Sequence, residues 1–73
     1  MKILTQNRKV LTEPGREIWT TLWDGKSKYS VMHIGHTTPI LGVYHSEVRA
    51  REVVLEIFNS LSKGKATYSM PEK

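Results

Sequence analysis

Residues 17–34 read Glu17-Ile18-Trp19-Thr20-Thr21-Leu22-Trp23-Asp24-Gly25-Lys26-Ser27-Lys28-Tyr29-Ser30-Val31-Met32-His33-Ile34, or EIWTTLWDGKSKYSVMHI. Seven residues rich in β-branched and aromatic side chains lead into Asp24-Gly25, a favoured hairpin turn because both residues tolerate positive φ. A second run of the same kind returns from Lys28 to Ile34. Residues that face each other across an antiparallel pair share a sheet face, and side chains alternate with a period of two. An even-length turn therefore puts Ile18, Thr20, Leu22, Tyr29, Val31 and His33 on one face. Trp19, Thr21, Trp23, Lys28, Ser30, Met32 and Ile34 fall on the other.

Outward from this hairpin, residues 2–6 and 9–12 read as two short strands around a turn at Asn7-Arg8, and residues 40–44 as one more. Ser46 then caps a helix, with Glu47 in its first turn, where a carboxylate favours the positive end of the helix dipole. Ala50, Val53, Val54, Ile57, Phe58 and Leu61 recur at intervals of three and four, the stripe of an amphipathic helix, and Gly64 ends it. The expected fold is α+β: a small antiparallel sheet of about four strands with its central hairpin at Asp24-Gly25, and one C-terminal amphipathic helix over about 46–63. Residues 65–73 are a tail, either flexible or docked through Tyr68 and Met70. The whole of residues 1–73 forms a single domain.

One helix covers only one face of a hairpin that is apolar on both, and the pattern leaves open which face that is. Covering the Val31 face leaves Trp19, Trp23 and Met32 exposed beside Lys26 and Lys28. On the helix, Val48 and Leu55 lie one heptad apart on the flank away from the main stripe. The expectation is a homo-oligomer with Trp19, Met32, Val48 and Leu55 in its interface. A chain of 73 residues buries only about 60% of its unfolded surface, so a partner chain also relieves a thin stability margin. No cysteine is present to staple it, which fits a reducing compartment. The opening residues turn polar before any apolar signal region develops, and no apolar run approaches a membrane span. The expected location is the cytoplasm.

Eleven Lys and Arg against seven Asp and Glu give a charge of +4, which favours anionic partners, though the cations are scattered rather than gathered in an arm. His33, His36 and His45 fall close together, but with no Cys or carboxylate at tight spacing they are not read as a metal site. His45 and Arg49 stand at the helix N-terminus, where anions are favoured. With Lys28 and the aromatic rings of Trp23 and Tyr44 they form the candidate ligand site. For catalysis the inventory is poor. The only Asp is the turn residue Asp24, no Ser sits in a nucleophile context, and Glu52 and Glu56 read as part of a solvated charge lattice with Arg49 and Arg51. The chain is read as a non-enzyme without cofactors.

Three segments carry a resemblance: Met1-x-Ile3-x-x-Gln6, then Leu41-Gly42-x-Tyr44-x-Ser46-Glu47-x-x-Ala50-x-x-Val53 through Glu56-Ile57, and the closing Tyr68-x-Met70-Pro71-Glu72. Together they resemble a set of short phage and prophage proteins of Gram-positive bacteria. The resemblance implies a counter-defence protein that works by binding. The leading expectation is a homo-oligomeric sponge that sequesters an anionic, nucleotide-like signalling molecule of the host cell. The alternatives are an inhibitor that covers a host protein surface and a small nucleic-acid-binding protein.

Overall fold

The computed structural model describes residues 1–13, 17–22, 28–33 and 40–73. In chain order the elements are β1 (Lys2–Leu4), β2 (Leu11–Thr12), β3 (Ile18–Leu22), β4 (Tyr29–His33), β5 (Ile40–Tyr44), α1 (Glu47–Ser62) and β6 (Thr67–Ser69). They make an α+β fold with two three-stranded sheets, ordered β2-β1-β6 and β3-β4-β5, among the described residues. The expected class is correct. Among the described residues the strand count is six rather than about four, because the tail adds β6, which pairs with β1, and β2 flanks β1 on its other side in a separate sheet.

The Asp24-Gly25 turn, Trp23, Lys26 and Ile34 lie outside the described residues, but the register on either side is the one that an even turn dictates. Leu22 pairs with Tyr29, Thr20 with Val31 and Ile18 with His33. β5 continues the meander, with Tyr29 opposite Tyr44 and Val31 opposite Gly42, after which the register shifts and Met32 meets Ile40. That bulge accounts for two successive buried residues, Leu41 and Gly42, in a strand that otherwise alternates. Gly42 stands where a side chain would press on its neighbours. A Cβ there would lie 3.0 Å from the Tyr44 hydroxyl and 3.2 Å from the Gln6 Cβ.

Helix α1 lies over β3, β4 and β5 and covers the Val31 face. Ser46 is its N-cap, extended at φ −151, with its Oγ accepting from Arg49 N at 3.1 Å. At the other end Gly64 takes φ 72, its N–H donates to the Leu61 carbonyl, and Lys65 N–H donates to the Ser60 carbonyl. This 5→2 and 6→1 pair is the Schellman stop that glycine permits. Ala50, Val53 and Ile57 meet Ile3, Val31, Leu41, Tyr44 and Met70 in one core. Phe58 and Leu61, expected in that core, are 64% and 51% exposed, so the buried face of the helix is narrower than its apolar arc.

Gln6 joins the two sheets. Its N–H donates to the Leu41 carbonyl, and its side-chain amide accepts from Val43 N at 2.7 Å and donates back to Val43 O at 2.9 Å. A side chain thus completes the outer edge of β5 as a neighbouring strand would. No helix among the described residues is long and apolar enough to cross a membrane.

Candidate functional site

Two of the expected ligand residues, Tyr44 and Arg49, do come together, with the guanidinium 5.9 Å from the centre of the Tyr44 ring. Both hold the chain's own C-terminal segment. Tyr44 is buried and its hydroxyl donates to the Pro71 carbonyl at 2.8 Å. Arg49 Nε donates to Lys73 O at 3.0 Å, while Nη1 stands 3.3 Å from Glu52 and 3.5 Å from Glu56. Glu56 also accepts from the Tyr68 hydroxyl at 2.7 Å. On the far side of the tail, Arg8 donates to Met70 O and pairs with Glu72 at 3.7 Å. Arg8 takes a left-handed φ of 64, which its bonds to the tail help to hold. Two carboxylates and a chain-end carbonyl around one guanidinium leave little positive potential for an incoming anion.

His45 is exposed beside this cluster. Lys28, also exposed, precedes Tyr29, whose partner across the sheet is Tyr44, so both residues stand at the same end of the sheet. Trp23 lies outside the described residues.

The buried tyrosine carries a pH dependence. Burial pushes the Tyr44 phenol up to about 12, with Glu56 adding to the rise and Arg49 opposing it. Burial also raises Tyr68, together with its hydrogen bond to Glu56. An unfolded phenol loses its proton near pH 10. The stability that these neutral phenols contribute is therefore complete below about pH 10 and falls as pH rises toward 12. Urea midpoints between pH 8 and 12 should fall through that window, and a Tyr44→Phe variant should show a smaller fall. An equal fall in both proteins would remove Tyr44 from this role.

A second surface lies between β3 and α1. Trp19, Thr20, Arg51, Val54 and Leu55 line an open groove of about 280 Å³. Its walls are mostly apolar. Its cation, Arg51, pairs with Glu47 at 3.5 Å in an exposed contact of the kind that contributes little. Trp19 is 38% exposed, and Leu22, Val48, Leu55, Phe58 and Leu61 are more exposed still, so the groove opens onto an apolar strip along the edge strand and the helix flank. Of the four expected interface residues, Trp19, Val48 and Leu55 lie on this strip. Met32 is half-buried beside Trp19 on the far face of the sheet. Arg51, Phe58 and Leu61 were not singled out for binding in the sequence. The signal for them was an apolar arc wider than one sheet can cover.

Among the described residues no three potential metal ligands cluster. His33 is buried within β4, and His36 lies outside the described residues. Comparison with protein-family models, with curated proteins and with solved structures yields no match.

Proposed function

We propose that this chain is a non-enzymatic binding protein of the phage counter-defence kind, acting as a homo-oligomer that sequesters an anionic, nucleotide-like molecule. The observation that carries the reading is the β3–α1 groove. Trp19 and Thr20 of the edge strand and the weakly paired Arg51 border an apolar hollow near the lower end of the ~300–1,000 Å³ range of small-molecule sites. A base lodged against Val54 and Leu55 beside the edge strand, with a phosphate toward Arg51, uses both the apolar wall and the cation. The groove replaces the Tyr44 and Arg49 cluster as the ligand site because Arg49 is already neutralised by Glu52 and Glu56.

Mononucleotides and cyclic dinucleotides, tested one by one by calorimetry and thermal unfolding, should include a binder. It should stabilise the protein by about 2.7 kcal/mol when present at a hundred times its Kd. Trp19→Ala and Arg51→Ala should each abolish that gain, whereas His45→Ala should leave it. No stabilisation by any member of the panel contradicts the reading.

The exposed Phe58 and Leu61 favour a second reading, an inhibitor that presses this strip on a host protein. Its signature is capture of one protein with no nucleotide effect. Binding to nucleic acid would instead weaken steeply with salt.

A further inference from the structure

We infer that the occupant of the apolar strip is a second copy of this chain, related by a two-fold axis that passes beside Thr20 and between Val54 and Leu55. This rests on the homo-oligomeric reading above and supplies its geometry.

The edges of the two sheets are the first observation. On β5 the outer edge is completed by Gln6, and β2 and β6 are only two and three residues long. β3 runs for five residues, Ile18-Trp19-Thr20-Thr21-Leu22, with no charge, no proline and no bulge. Among the described residues β4 is its only neighbour. Edge strands of this length and composition pair unless something protects them. Antiparallel pairing of β3 with its own copy about Thr20 sets Ile18 against Leu22 and Trp19 against Thr21.

The second observation is that the helix flank above this edge is self-complementary about the same axis. The groove brings Thr20, the midpoint of β3, beside Val54 and Leu55. Antiparallel helices related by a two-fold at that level place Arg51 of one copy against Phe58 of the other, since these two residues stand only about 20° apart around the helix. Glu47 meets Ser62, with Lys63 next to it. The one arginine falls on an aromatic face, and the acidic end of each helix falls beside a lysine of the other.

Spacing agrees. Paired strands lie about 4.8 Å apart and packed helices 8–10 Å apart, so each helix must sit within a strand or so of the edge. α1 lies chiefly over β3 and β4. A standard interface takes about 800 Å² from each partner, roughly a sixth of the 4905 Å² that this chain exposes. The same contact sets the two grooves face to face at the axis, so that a ligand would lie between protomers.

Sedimentation equilibrium of the wild-type chain should show a dimer. Leu55→Asp, at a position 61% exposed in the single chain, should keep its circular dichroism and raise the dimer Kd by about thirtyfold or more. Orientation is tested by cysteines, which the natural chain lacks. Under oxidation, Val48→Cys should stay uncrosslinked, because copies of residue 48 stand about 20 Å apart along antiparallel helices. Arg51→Cys combined with Phe58→Cys should form a covalent dimer. A dimer that is indifferent to Leu55→Asp, or a Val48→Cys homodimer, overturns this interface while leaving the oligomer intact. A monomer at every concentration that still binds a nucleotide overturns the dimer and leaves the groove as the ligand site.

Discussion

Met70→Ala is expected to destabilise the protein by about 2–5 kcal/mol, although the residue is fourth from the C-terminal end of the chain. Met70 is fully buried within the core formed by Ile3, Leu41, Tyr44 and Ile57. Its backbone is held as well: the N–H donates to the Leu4 carbonyl at 2.9 Å and the carbonyl accepts from Arg8. Shortening it opens a cavity between the two sheets, under the strand pair β1–β6 that closes the fold. At the usual 0.05–0.15 kcal/mol per residue, 73 residues hold only about 4–11 kcal/mol in all. The loss should therefore be visible as a large fall in the urea midpoint, followed by tryptophan fluorescence. Ser69→Ala, one residue away and exposed, should change stability by less than about 0.5 kcal/mol. Comparable effects at the two positions would mean that the tail does not dock as described.

Ile57→Ala and Phe58→Ala should differ as sharply, in the opposite order to side-chain size. Ile57 is 1% exposed against the sheet, and its truncation should cost about 2–5 kcal/mol. Phe58 is the larger side chain but is 64% exposed, so in dilute protein its loss should be close to neutral. At high concentration Phe58→Ala should lose stability that the wild type gains from association, since a dimer's stability depends on concentration. A large cost for Phe58→Ala at low concentration would mean that the helix is rotated about its axis from the arrangement described.

These two neighbours mark where the sequence is legible and where it is not. The hairpin register could be read because strand side chains alternate with a period of two, which leaves only two choices and sorts Val31 and Trp19 to opposite faces. The helix ends were legible because Ser46 and Gly64 perform local chemistry, a cap and a left-handed stop. A 3.6-residue period locates the middle of a stripe but not its margins. Ala50, Val53, Ile57 and the small Ser60 face the core, whereas Phe58 and Leu61 lie just past the rim of the sheet.

Non-local pairings were illegible for a different reason. β6 is three polar or aromatic residues that become a strand only because β1, far away in sequence, lies parallel to it. Gln6 carries no mark of its bonds to Val43 and Glu72. In the candidate site, Arg49 was visible as a cation near a helix N-terminus, but the docking of Lys73 onto it depends on the whole fold. Arg51 reads in the sequence only as part of a solvated charge lattice, because its place beside Trp19 and Thr20 at the groove depends on the fold.

Native mass spectrometry of the protein purified gently from cells tests the central claim, since one spectrum reports both the assembly and any small molecule retained at the β3–α1 surface. The expected spectrum is a dimer carrying a discrete anionic mass, with both the dimer and the mass lost in a Trp19→Ala, Leu55→Asp variant. A bare monomer that stays bare when mononucleotides and cyclic dinucleotides are added would contradict the account.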